Sequence, residues 1–298
     1  MKLKQIKFIE SELADQRPFG NAQHINKLID RVYLHRLSLA EGKLPAALNL
    51  KQSLCRLSES QRQHFLRDTM LRIGIDQAML HANGLATRLS LDVIVSLLAR
   101  AASLLRNSCQ TTVLDSLQPL STRLDRDSSS PLIWTPSVDL IAQSMEEIVH
   151  DMVPDAHIDF ASREQIKTLK AAITLLETLL PQLTPSALNH VTSIVIISES
   201  ETPGLGHRGF GSGTNRGLPG VILVSASELK TPWRAAEIML HEALHLKFID
   251  LEFTHSMNLN PGKEDESWTI MPPWRKSDVN SDEWLPIRAM TAAHVYIG

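Results

Sequence analysis

The chain is short of cysteine, of net charge and of long apolar runs, and each shortage narrows its class. Its two cysteines, Cys55 and Cys109, stand far apart, and neither belongs to a C-x-x-C or zinc-knuckle spacing, so both read as reduced thiols. Thirty basic residues against 33 acidic ones leave a formal charge of -3. That balance gives no field to hold a polyanion, and no basic run supplies one locally, so nucleic acid is not an expected partner. No apolar run approaches the roughly 18 residues that cross a bilayer. The amino-terminal MKLKQIKFIESELADQ carries charges every few residues and lacks the apolar core of a secretory signal. No membrane partner and a cytoplasmic location are therefore expected. What is present, 298 residues with 43% hydrophobic and 21% charged, fits a globular chain able to bury a substantial core.

Apolar residues return at three- and four-residue intervals through most of the first 185 residues, as in Ser90 to Leu105 and Ile166 to Leu180, which predicts a mainly helical region. Within it TRLDRDSSSP, Thr122 to Pro131, reads as an exposed loop between two helical groups. The texture changes near residue 190. SIVIIS (Ser193 to Ser198) and GVILVSAS (Gly220 to Ser227) are short β-branched runs bounded by turn residues, and predict strands. Between them, Gly204 to Gly220 holds seven of the 13 glycines, a tightly turning or mobile connection. Its GLGHRG matches G-x-G-x-x-G, but no helix opens on the third glycine and no phosphate-loop lysine follows, so nucleotide binding is not expected there. The predicted fold is α+β and predominantly helical: residues 1–185 as scaffold or peptide-recognition region, and 186–298 as a catalytic region whose small sheet packs on a metal-binding helix.

That helix starts with Thr231 as N-cap and Pro232 at its first position, and runs through WRAAEIMLHEALHLKFIDLEF. It carries His241, Glu242 and His245 as HEALH. Histidines four apart lie one above the other on a helix, so their imidazoles can converge on one ion, while Glu242 can reach a metal-bound water or another ligand. Chance places this pattern in only about 3 of 100 chains of this histidine and glutamate content. A catalytic ion needs a third protein ligand. The metzincin position is Leu251, which excludes that class. His255 would require a sharp reversal past the helix end, and Glu264 and Glu266 sit in a turn-like NPGKEDES. His294 is better placed, since Ile287, Met290 and His294 form one stripe of a second predicted helix. On spacing alone it is either a ligand or a core histidine bonded to a carbonyl.

At these residues the sequence resembles the HExxH-type peptide β-hydroxylases that modify ribosomally made precursor peptides with iron(II) and 2-oxoglutarate. The resemblance covers residues 190–298 and rests on GVILV before the helix, HEALH, PPWR (Pro272 to Arg275), Arg288 and AAHVY (Ala292 to Tyr296). It implies a zincin-like HExxH helix in which His241, His245 and His294 hold the iron, with open positions for 2-oxoglutarate and dioxygen, and a precursor peptide as substrate. It leaves Glu242 to orient a ligand or a water, and gives the distal carboxylate of 2-oxoglutarate to Arg288, with Arg275 in reserve. Either arginine read by itself is equally a surface residue. A peptide could add as a strand at an edge near Gly220 to Ser227. Two other readings of HEALH stand beside this one: a zinc metallopeptidase with Glu242 as general base, and a peptide-binding accessory protein with a structural metal.

Overall fold

The computed structural model describes residues 3–107, 112–117, 122–124, 130–154, 156–199 and 210–255. Seven helices come first: α1 (Leu3–Asp15), α2 (Ala22–Ala40), α3 (Pro45–Cys55), α4 (Glu59–Leu66), α5 (Thr69–Ala82), α6 (Leu91–Asn107) and α7 (Val113–Leu117). Then follow strands β1 (Thr122–Arg123) and β2 (Leu132–Ile133), α8 (Leu140–Met152), β3 (Ala156–Ile158), α9 (Arg163–Leu179) and α10 (Leu183–Leu188). The last described elements are β4 (Ser193–Glu199), β5 (Ser212–Gly213), β6 (Val221–Ser225) and α11 (Pro232–Thr254). The protein is thus mostly helical around a small mixed sheet, and no helix among the described residues is long and apolar enough to cross a membrane.

Local chemistry fixes the helix starts. Ser58 and Ser162 close capping boxes with Gln61 and Gln165 at the heads of α4 and α9. Asn21 accepts from the His24 amide at 2.8 Å at the head of α2. The helices expected over Ser90 to Leu105 and Ile166 to Leu180 are α6 and α9. The expected loop over Thr122 to Pro131 has structured ends: β1 pairs antiparallel with β2, and the Leu124 amide donates to the Pro131 carbonyl at 3.0 Å. Two-residue strands are too short to leave a periodic signal, and the sequence between them is polar. Cys55 is an exposed free thiol, and Cys109 lies outside the described residues.

The sheet runs β1-β2-β4-β6-β5, with β3 also on β4; β2, β4 and β6 are mutually parallel, and β5 is antiparallel to β6. Alternation along the two central strands assigns their faces. Val195 and Ile197 of β4, with Val221 and Leu223 of β6, join a core shared with α2, α3, α5, α6 and α8. Ile194, Ile196, Ile222 and Val224 face the other way, onto α9, α10 and α11. Burial on both faces explains why these strands are unbroken apolar runs rather than alternating ones. The first 185 residues supply β1, β2 and β3 to this sheet, and their helices share its core. Gly220, at φ +81°, starts β6 where a Cβ would come within 2.6 Å of Thr192 Oγ1, so only glycine fits that turn.

Candidate metal centre

α11 forms as its sequence dictates. The Thr231 hydroxyl accepts from the Arg234 amide at 3.3 Å, Pro232 occupies the first turn, and a 3-10 turn over Ala226–Glu228 links the helix to β6. Its apolar residues divide between two partners. Ala235, Ile238, Met239, Ala243 and Leu246 pack with Leu169, Ala172 and Leu176 of α9, while Leu251 enters the core on the other side of the sheet. A helix buried on most of its circumference holds the few polar groups it carries in fixed places.

Two of those groups are His241 and His245. Their Nε2 atoms lie 3.2 Å apart and their rings meet edge to face, with centroids 4.7 Å apart. An ion about 2.1 Å from both nitrogens, an ordinary metal–imidazole distance, would see them about 100° apart, between the octahedral and tetrahedral angles. The pair therefore suits iron and zinc alike. Burial lowers the His241 pKa, which favours the neutral imidazole that a metal requires. Both rings line an open pocket of about 510 Å³, together with Glu242, Glu252 and the stretch from Ser212 to Arg216.

Glu242 is 3% exposed and accepts a hydrogen bond from Ser212 Oγ at 2.8 Å. Burial pushes its carboxyl upward, and hydrogen bonds from Ser212 and Thr214 pull against that shift. The glutamate of HEALH thus ties α11 to β5 beside the histidine pair. At the pocket's rim Arg216 Nη2 reaches both carboxylate oxygens of Glu252, at 2.9 and 2.7 Å. β5, not the stretch from Gly220 to Ser227, ends the sheet among the described residues. β6 lies between β4 and β5 and is buried throughout, which corrects the expected position of the edge. Two residues within a glycine-rich stretch gave no strand signal.

The structure brings His241, Glu242 and His245 together. His294, Arg288, Arg275, Glu264 and Glu266 lie outside the described residues. His255 does not approach the pair: it caps the C-terminus of α11, about 15 Å of helical rise beyond His245, and its ring sits beside Phe19 and His24. Among the described residues no group of three or more His, Cys, Asp and Glu side chains is gathered for a metal.

Sequence reasoning missed two buried charges on the same helix. Asp250 binds the Arg72 guanidinium through Oδ1 and His190 Nδ1 through Oδ2, the latter at 2.7 Å, and Arg72 Nε donates to Tyr33 Oη at 3.1 Å. Burial alone would raise the Asp250 carboxyl, but Arg72 and His190 hold it down at about 2. Lys247 is fully buried, its Nζ donating to the carbonyls of Leu13 and Gly20 and to Ser186 Oγ at 2.9 Å. Burial lowers its pKa from 10.5 to about 8. A visible signal existed, since Lys247 and Asp250 interrupt an otherwise apolar run with one-turn spacing.

Lys247 sets an expected pH dependence. Between pH 8 and 10 the unfolded chain holds this proton and the folded chain sheds it, so stability rises with pH across that window. Tyr33, raised by burial, works in the opposite direction only above pH 10. Urea midpoints from pH 7.5 to 9.5 should climb in the native chain and stay flat in Lys247→Met. A fall in the native chain would contradict this account of Lys247.

No protein-family model matches the chain, and no curated protein matches it.

Proposed function

We propose that the chain is an iron(II)- and 2-oxoglutarate-dependent oxygenase that hydroxylates a β-carbon in a ribosomally synthesised precursor peptide. The observation that carries this reading is the convergence of the two Nε2 atoms, 3.2 Å apart, in a pocket bordered by a terminal strand of the sheet. The choice of reaction comes from the resemblance in residues 190–298. In net terms one atom of dioxygen enters the peptide C–H bond, the other enters succinate, and carbon dioxide leaves. When bound, iron supplies the oxidising chemistry.

The chain's own residues hold and orient. His241 and His245 provide two ligands and His294 the third, while Arg288, with Arg275 in reserve, meets the distal carboxylate of the oxo-acid. Glu242, already occupied by the hydroxyl of Ser212, fixes the distance between β5 and the metal helix. A peptide adding to β5 as a further strand gains main-chain hydrogen bonds that tolerate many sequences. Its alternate side chains then turn toward the pocket.

A zinc peptidase is the second reading, favoured by the presence of Glu242 in the lining of the same pocket. The two separate cleanly. Anaerobic reconstitution with iron, then air, 2-oxoglutarate and the co-encoded peptide, should yield succinate and a peptide heavier by one oxygen atom. Zinc retained through purification, with fragmentation of the peptide that Glu242→Gln abolishes, would replace the oxygenase by the peptidase.

A further inference from the structure

The metal helix gives the pocket more than its histidines. His241, His245, Ile249 and Glu252 all line the cavity, and at 100° per residue they fall on one stripe of α11 about 80° wide. Glu252 lies about 10.5 Å of helical rise beyond His245, and Ile249 stands between them, one turn before the carboxylate. An imidazole pair, an apolar side chain and a carboxylate therefore follow one another along the pocket.

Glu252 is held by Arg216, whose Nη2 bridges both of its oxygens. The two sides of this pair differ. The Glu252 side chain is 13% exposed and fixed on a helix, whereas the Arg216 side chain is 63% exposed and sits in the turn after β5. Burial raises the Glu252 carboxyl, and Arg216 pulls against that shift. A carboxylate partly withdrawn from water keeps its need for a cation, while an exposed guanidinium returns to water at little cost. The lining favours a cation too, since Glu242 and Glu252 face the single guanidinium of Arg216 among the described residues.

We propose that Ile249 and Glu252 form a subsite for a lysine or arginine side chain of a peptide substrate, and that Arg216 occupies it until that side chain arrives. Ile249 meets the aliphatic stem and Glu252 the charged head, as a long basic side chain requires. An acidic side chain would have to compete with Glu252 for Arg216, and an apolar one would gain Ile249 alone. Along an extended peptide 10.5 Å is about three residues, so the basic residue stands about two to four positions from the residue that meets the metal. The subsite rests on the reading of this pocket as a peptide site, and is the same for an oxygenase and a peptidase.

The test titrates three fluorescent hexapeptides, alternating glycine with lysine, norleucine or glutamate, onto the full chain at low salt with a chelator present. The lysine peptide should bind about tenfold more tightly than the norleucine peptide, and the glutamate peptide more weakly than either. Arg216→Gln should tighten the lysine peptide about threefold to fivefold by vacating the subsite, and Glu252→Gln should bring it down to the norleucine level. Glu164→Gln makes the same change of net charge at an exposed position of α9 outside the lining, and should leave the affinity unchanged. Circular dichroism checks that each variant folds. Absence of lysine-peptide binding, equal affinity for the norleucine peptide, or lysine binding unchanged or weakened in Arg216→Gln would overturn the proposal. So would an equal loss in Glu164→Gln and Glu252→Gln, or displacement of the peptide by an equal concentration of butylamine, because the site would then take a free amine. No metal takes part while the chelator is present, so failure of the oxygenase reading leaves these results standing.

Discussion

Replacing Asp250 with alanine is expected to destabilise the chain by about 3–5 kcal/mol, the range for breaking a buried ion pair from one side. Typical domains have only about 5–15 kcal/mol in total. The loss is large because two groups depend on one carboxylate. Arg72, with its side chain 3% exposed, would lose the carboxylate it binds, and His190 would lose its Nδ1 partner while its Nε2 has none among the described residues. Among the described residues Arg72 would retain the Tyr33 hydroxyl, the faces of Tyr33 and Phe253, 5.4 and 5.9 Å from its guanidinium carbon, and the charge of Asp76 nearby. Asp250→Asn keeps a hydrogen-bonding group and should lose less. Urea unfolding measures both. A loss below about 1 kcal/mol in the alanine variant would mean that the guanidinium escapes to water, and that the network does not hold α5 to α11.

His241→Ala and His245→Ala should act in the opposite way, leaving the fold intact and removing the metal. Both rings are partly exposed at the pocket, so their truncation opens no core cavity. Losing a residue that merely supports a ligand costs roughly 10–100-fold in metal affinity, and losing a ligand should exceed about a hundredfold. Equilibrium titration with a competing chelator reads the affinity, and circular dichroism reads the fold. Single variants that bind metal as the native chain does would remove both histidines from the site.

The contrast between Asp250 and the histidines also marks what the sequence revealed. HEALH is a local pattern, and helical spacing alone puts its imidazoles together. Thr231 and Pro232 fix the start of the helix, and SIVIIS and GVILVSAS become β4 and β6 because uninterrupted β-branched runs suit strands buried on two faces. The Asp250 network was hidden because its guanidinium partner lies 178 residues away. β5, two residues long, was below any periodic signal, yet its Ser212 holds Glu242 and it ends the sheet among the described residues.

Metal content measured together with metal-edge X-ray absorption is the most direct measurement of whether His241 and His245 share one ion. The native chain, reconstituted without oxygen, should hold one iron per chain with at least two imidazoles in its scattering shell, and the His241→Ala, His245→Ala variant should hold none. Equal metal in both proteins, or a native shell free of imidazole, would contradict the assignment.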